Sequence, residues 1–182
     1  MNVRRVVTGH DASGKSVFVS DDVVTPDEPL LLPGSELHQL WGGDETPQFP
    51  NDGARPAFTT YFAPVGGFRF GFISVPPGAA APAADVDLET ALADAEAKLP
   101  GLLAYMDPSD PGMHATDTID FEVVLEGSLV LELDDGAEVT LYPGDTVVQN
   151  GTRHRWKNPG TEVARMALFN CGAKHSGIRP AG

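Results

Sequence analysis

The amino-acid sequence predicts an all-β protein, a sandwich, jelly roll or small barrel, with additional N-terminal strands and one short inserted helix. Three observations carry that expectation. From Ile119 to Phe169, short apolar runs alternate with turns marked by Gly, Asp, Asn or Pro and no helical segment intervenes. Such spacing leaves no room for crossover helices and makes neighbouring strands antiparallel. Gly 20 and Pro 16 in a chain of 182 residues favour many turns over long helices. One segment alone, Asp87 to Leu99, repeats its apolar residues with a helical period.

Taken in order, Val3 to Val7 and Ser16 to Ser20 are β-branched runs around a loop containing Gly9, Asp11, Ser13 and Gly14, which reads as a hairpin with His10 exposed in its loop. Pro26, Pro29 and Pro33 make the next stretch an extended arm. Glu36 to Trp41 reads as a strand, with Leu37, Gln39 and Trp41 on one face. Phe58 to Ala63 and Phe68 to Val75 read as two further strands, the second with Phe68, Phe70 and Phe72 on one face. A Pro/Ala linker from Pro76 to Ala84 leads to the helix, which Asp87 caps and Pro100-Gly101 ends. Leu88, Ala91, Leu92, Ala95 and Leu99 form its apolar stripe, and Leu102 to Met106 adds a further turn. The chain is expected to be one domain over 1–182: arm and strands 1–76, inserted linker and helix 77–110, and a motif-bearing core 112–170.

Composition narrows the function classes. The formal charge of -14 repels phosphate backbones, so no nucleic-acid partner is expected. Arg153, Arg155 and Lys157 alternate along one strand and read as a solvated face. No apolar run reaches the roughly 18–20 residues of a membrane span, and no apolar signal core follows Arg4 and Arg5. A cytoplasmic protein without a membrane partner is expected. Cys171 is the only cysteine, which excludes an intramolecular disulfide and reads as a small core or edge residue.

The stretch from His114 to Asn158 gathers His114, Asp120, Glu122 and His154 on or beside short strands. Gly144, Gln149, Gly151, His154 and Asn158 follow the spacing of a Gly, Pro-x-Gly-x-x-His, Asn motif, with Gln149 in place of Pro and one residue fewer after Gly144. Counting back from Gly127 puts Asp120 at the Glu of a preceding His-x-His…Glu…Gly motif, His114 at its first His and Thr116 at its second. On these residues, from about Gly112 to Phe169, the chain resembles the cupin superfamily. The resemblance implies a jelly-roll β-barrel whose metal takes three His and one carboxylate. Matching positions give His114, Asp120 and His154 as ligands, the two-His, one-carboxylate set that also holds non-haem Fe(II). Fe, Mn, Zn and Ni all remain open as the metal. Thr116, Gln149 and Trp156 are the expected pocket-lining residues.

Strand parity bears on these assignments. His154, Trp156 and Asn158 share one face and the basic residues the other, so His154 points inward. Ile119, Phe121, Val123 and Leu125 form an apolar face opposite Asp120 and Glu122. One reading buries the apolar face and solvates the acids. The cupin register does the reverse, placing the apolar face under the N-terminal arm or a partner subunit, which makes a homodimer the expected assembly. Glu122, inside the barrel, is then a candidate general acid/base or replacement ligand. The expected function is a metal-dependent enzyme on a small organic molecule, by dioxygenase, lyase, decarboxylase or isomerase chemistry. The alternative is a metal-free binding or sensing module, favoured by Thr116 and by the shorter Asp120.

Overall fold

The fold is described by a computed structural model over residues 2–78 and 86–176. Its strands are β1 (Val3–His10), β2 (Ser16–Val24), β3 (Glu36–Gly43), β4 (Phe68–Val75) and β5 (Thr118–Glu126). Then follow β6 (Leu129–Glu132), β7 (Glu138–Leu141), β8 (Thr146–Asn150), β9 (Arg155–Lys157) and β10 (Ala164–Gly172). One helix, α1 (Leu88–Lys98), lies between β4 and β5. The sheets are β1-β2, then β3-β4-β10-β5-β8, then β7-β6-β9, and all their pairings are antiparallel. The last two face each other as a jelly-roll barrel, one of the all-β classes that the turn spacing allows and the one that the cupin resemblance implies.

One end of the barrel is apolar. Val124, Leu129, Leu131, Leu141, Ala164 and Met166 close it, with Ile73, Val75, Val147 and Trp156 packed against them. Gly127 makes the turn between β5 and β6 in the left-handed region, φ 70°, and a Cβ there would lie 2.9 Å from the Ala164 Cα. Only glycine suits that close approach. Asn158 brackets the turn before β10, donating to the Val75 and Glu162 carbonyls at 2.8 Å and accepting from Gly160 N–H.

The N-terminal hairpin forms with longer strands than expected. Asp11 accepts from the backbone N–H of Ser13 and Lys15 to close the turn. His10, expected in an exposed loop, instead ends β1 half-buried against Asn51. In β3, a bulge between Gln39 and Trp41 separates residues that simple alternation puts on one face, and Trp41 pairs with the outward-facing Phe70. Arg5 of the hairpin lies over the Trp41 ring.

The strand expected at Phe58 to Ala63 is absent. The segment is irregular, its backbone hydrogen bonds going to the Tyr61 N–H···Pro100 carbonyl pair and to a turn in which Thr60 Oγ1 donates to Phe62 O. Pro56 and Pro64, which lack N–H donors, bracket it. The helix forms as expected: Asp87 accepts from Thr90 N–H, and Ala91, Ala95 and Leu99 are buried. Leu88, read as part of the apolar stripe, is exposed instead. Leu99 and Leu102 pack with Leu37, Tyr61 and Phe62, so the helix and the irregular segment close on the sheet together. Residues 79–84 of the expected Pro/Ala linker lie outside the described residues. Among the described residues, no helix is long and apolar enough to cross a membrane.

Candidate functional site

The orientation of β5 settles which face lines the barrel. Thr118, Asp120, Glu122 and Val124 are buried, whereas Phe121 is 45% exposed and Val123 and Leu125 also face outward. Asp120 lies opposite Gln149 on β8 and Asn170 on β10, and Glu122 opposite Val147 and Leu168. The barrel thus has a polar end. Asp120 Oδ1, Glu122 Oε2 and Asn170 Oδ1 are buried there without a hydrogen-bond partner. Burial pushes the Asp120 carboxyl up to about 6, against a hydrogen bond from Thr118. Burial, then the neighbouring Asp120, pushes Glu122 up to about 8, against a hydrogen bond from Trp156.

His114 and His154 meet by a backbone bridge, each N–H donating to the other's carbonyl at 2.9 Å. Their ring centroids are 4.2 Å apart. His154 Nδ1 contacts the Thr152 carbonyl at 2.9 Å and His114 Nδ1 the Gly112 carbonyl at 3.1 Å. A carbonyl only accepts, so both Nδ1 atoms carry the proton and both Nε2 atoms keep the lone pair. Burial, then His114, lowers His154 to about 3, and burial also lowers His114. Both rings are therefore neutral near pH 7.

The bridge is fixed from outside. Arg153, one residue before His154, holds Asp107, Asp110 and Asp134 at 2.7–2.9 Å. Arg155 grips Glu132 and Asp110, and Lys157 pairs with Glu132 and Glu138. The basic face faces outward, as parity predicts, but it is a ladder of ion pairs rather than a merely solvated surface. It ties the connector 107–113, which leads into His114, onto the strand carrying His154.

Thr116 and Gln149 are buried. The Thr116 and Thr118 hydroxyls share a 2.8 Å hydrogen bond, and Gln149 Nε2 donates to Thr152. Trp156 lies edge-on to His154, with centroids 6.5 Å apart. Sequence reasoning missed Tyr61, Phe62 and Asn170. Phe62 stacks on His114 at 6.5 Å, and the field of Asp120, Asp27 and Glu122 adds to burial in raising the Tyr61 phenol. Two adjacent aromatics inside a Pro-bracketed irregular stretch were the available signal.

The donor types suit a divalent transition ion: two neutral imidazoles with free Nε2 lone pairs, and unpaired carboxyl oxygens nearby. The spacing meets that demand only in part. His114 and His154 adjoin, but among the described residues no three His, Cys, Asp or Glu side chains converge as a ready metal site.

Comparison with known proteins points to the same segment. A family model described as "Cupin domain" matches residues 103–170. The chain is 34% identical to "Phomopsin biosynthesis cluster protein C'" of Diaporthe leptostromiformis, over 93% of this chain and 78% of that protein. It is 28% identical to "Cupin-domain-containing oxidoreductase fogC" of Aspergillus ruber, over 93% and 73% respectively. Among solved structures, the Cnp3 cupin domain of Schizosaccharomyces pombe aligns with 94% of this chain and 89% of its own, at 10% identity and a TM-score of 0.48.

Proposed function

The chain belongs to the cupin superfamily, and from that premise we propose that it is a metal-dependent enzyme acting on a small organic molecule at the polar end of its barrel. The reading is supported by the adjoining His114 and His154 rings, whose Nε2 atoms keep their lone pairs inside the barrel that also buries the unpaired carboxyl oxygens. His114, His154 and Asp120 would hold the ion. The metal, one of Fe, Mn, Zn or Ni, would supply Lewis acidity and, if redox-active, electron transfer. Oxidative chemistry is favoured over lyase, decarboxylase or isomerase chemistry by relatives that carry the name oxidoreductase.

The other roles fall to residues around that centre. Glu122, buried and hydrogen-bonded by Trp156, would hold or take a proton beside the substrate. Phe62, over His114, would keep water from the imidazole pair. Thr116, Gln149 and Trp156 would shape the wall. A second reading, a metal-free small-molecule binder, is favoured by one observation: Asp120 does not join the histidine pair as a third ligand.

Metal analysis of protein purified without added ions separates the two. The enzyme reading expects close to one transition ion per chain, lost in a folded His154→Ala variant. Protein that retains no metal, and binds added Fe, Mn, Zn or Ni no better than His154→Ala does, would support the metal-free binder.

A further inference from the structure

We propose that residues 56–63 form a strap that lifts to admit the substrate to the polar end of the barrel and then closes over it. The inference rests on the reading of that end as a substrate site, and it holds whether or not a metal is bound there.

Shortage of room carries it first. The cavity between strap and sheet, lined by Phe58 and Tyr61 on one side and Gly71, Leu168 and Asn170 on the other, holds about 20 Å³. That is space for about one water molecule and too little for an organic substrate. The strap also lays Phe62 against the His114 ring, which adjoins His154. A wall has to move, and the ties on each wall decide which. Continuous backbone ladders hold β4, β10, β5 and β8 together. Ion pairs of Arg155 and Lys157 hold β9. Three hydrogen bonds fasten α1 to the arm and to β3: Leu30 N–H donates to Asp94, Lys98 Nζ to Glu28 O, and Gln39 Nε2 to Lys98 O.

The strap is fixed at its ends and lightly held between them. Before it, Gly53 N–H donates to Asn51 Oδ1, and a Cβ on Gly53 would lie 2.9 Å from Thr8 O. After it, Val65 bridges Gly172, and Pro64 O accepts from Gly67 N–H. Between those ends, among the described residues, one backbone pair reaches another element: Tyr61 N–H donates to Pro100 O. The other tie is Arg69, whose Nε and Nη2 donate to Thr60 O at 3.1 and 2.8 Å and whose guanidinium lies 4.3 Å from the Phe58 ring centre. Arg69 is buried, and it also donates to Gly43, Phe68 and Asp44, so it stays with the sheet when the strap leaves. Ala57, Thr59 and Thr60 already face water. Segments with so few ties open locally while the ladders beneath them stay closed. Lifting carries the Tyr61 and Phe62 rings away from the polar end and frees their volume, and closing shuts water out.

The test is the rate at which diethyl pyrocarbonate modifies His154 in metal-free protein at pH 7, read by peptide mass mapping. His154 is 2% exposed, so the reagent reaches it only through an opening. A Cβ on Gly101 would lie 3.9 Å from Thr60 Cβ, inside the roughly 3.5–4.5 Å span of bridged cysteines. Thr60→Cys with Gly101→Cys, made in a Cys171→Ser background, is therefore expected to form a disulfide that pins the strap beside the helix. The oxidised protein should react at least tenfold more slowly than the same protein reduced, a comparison in which the left-handed backbone at Gly101 is common to both. Phe58→Ala needs no bridge and should react at least threefold faster than wild type, with amide exchange in β5 unchanged. Equal rates in the oxidised and reduced forms, no modification of His154 in wild type, or a gain in Phe58→Ala no larger than the gain in β5 exchange would overturn the proposal. Metal content is measured separately, so failure of the metal-dependent reading and failure of the strap are distinct results.

Discussion

Glu122 shows how much one side chain's surroundings decide. In an unfolded chain a carboxyl titrates at roughly 4. Folding raises Asp120 to about 6 and Glu122 to about 8. Between those limits the folded protein holds protons that the unfolded chain has released, so stability falls as pH rises from roughly 4 toward 8. Each carboxyl contributes a slope of up to about 1.4 kcal/mol per pH unit across its own window. In metal-free protein, Glu122→Gln is expected to flatten the slope between pH 6 and 8 and to raise the melting temperature at pH 8. An unchanged slope in denaturant titrations would mean that Glu122 is not buried as a neutral acid. At this scale the sequence was legible where side-chain type and parity agreed, as for His154 between outward-facing Arg153 and Arg155. It was ambiguous at Asp120 and Glu122. A period of two states only that opposite faces differ, and the choice between them comes from the neighbouring strands.

At the scale of elements, β9 and the connector before His114 act as a unit. Arg153 draws Asp107 and Asp110 against the strand, and the histidine bridge follows. Hydrogen bonds from Ser109, then Arg153, hold Asp107 down to about 2. This clasp is intact above the unfolded carboxyl range, and it is lost as pH falls from roughly 4 toward 2. Arg153→Ala should therefore speed amide exchange at Met113 and His114 by tenfold or more at neutral pH, while Arg153→Lys keeps part of the protection. Equal exchange in wild type and Arg153→Ala would refute the clasp. Most elements were readable because their signals are local, such as Asp87 at the helix cap and Gly127 and Gly144 at turns. The exceptions had long-range causes. Tyr61 is drawn to Pro100, far along the chain, so an aromatic run that looked like a strand became the cover over His114. The bulge in β3 changed the face of Trp41, and no residue in the strand announces it.

At the scale of the whole molecule, one sheet departs from the usual order, burying acids on β5 and showing apolar side chains outside. The outer face of the five-stranded sheet shows Phe70, Phe121, Val123, Leu125, Val148 and Phe169. The Phe121 and Phe169 rings lie 6.4 Å apart, and Phe68 extends the patch on the other side of Phe169 at 6.2 Å. Phe18 of the hairpin is also exposed, at 81%. Contiguous apolar surface of this kind marks an interaction site in soluble proteins, and a second copy of the chain is the expected occupant. Sedimentation should give twice the 19.2 kDa chain mass, and Phe121→Asp should halve it. A wild-type monomer at working concentration would refute the dimer. Turn spacing made an antiparallel all-β fold legible, the motif resemblance narrowed it to a jelly roll, and the count back from Gly127 set the register that turns the apolar face of β5 outward.

The same strand carries a hazard during folding. A slip of β5 by one residue would turn Phe121, Val123 and Leu125 inward and release both acids to water, giving a single chain a more conventional interior. The native register therefore competes with a decoy that local hydrophobicity prefers. What opposes the decoy is non-local: the Gly127 turn seated against Ala164, and the pairing of β5 with β10 and β8. The chain is frustrated along this one strand, and it carries that conflict because the acids have to stand inside.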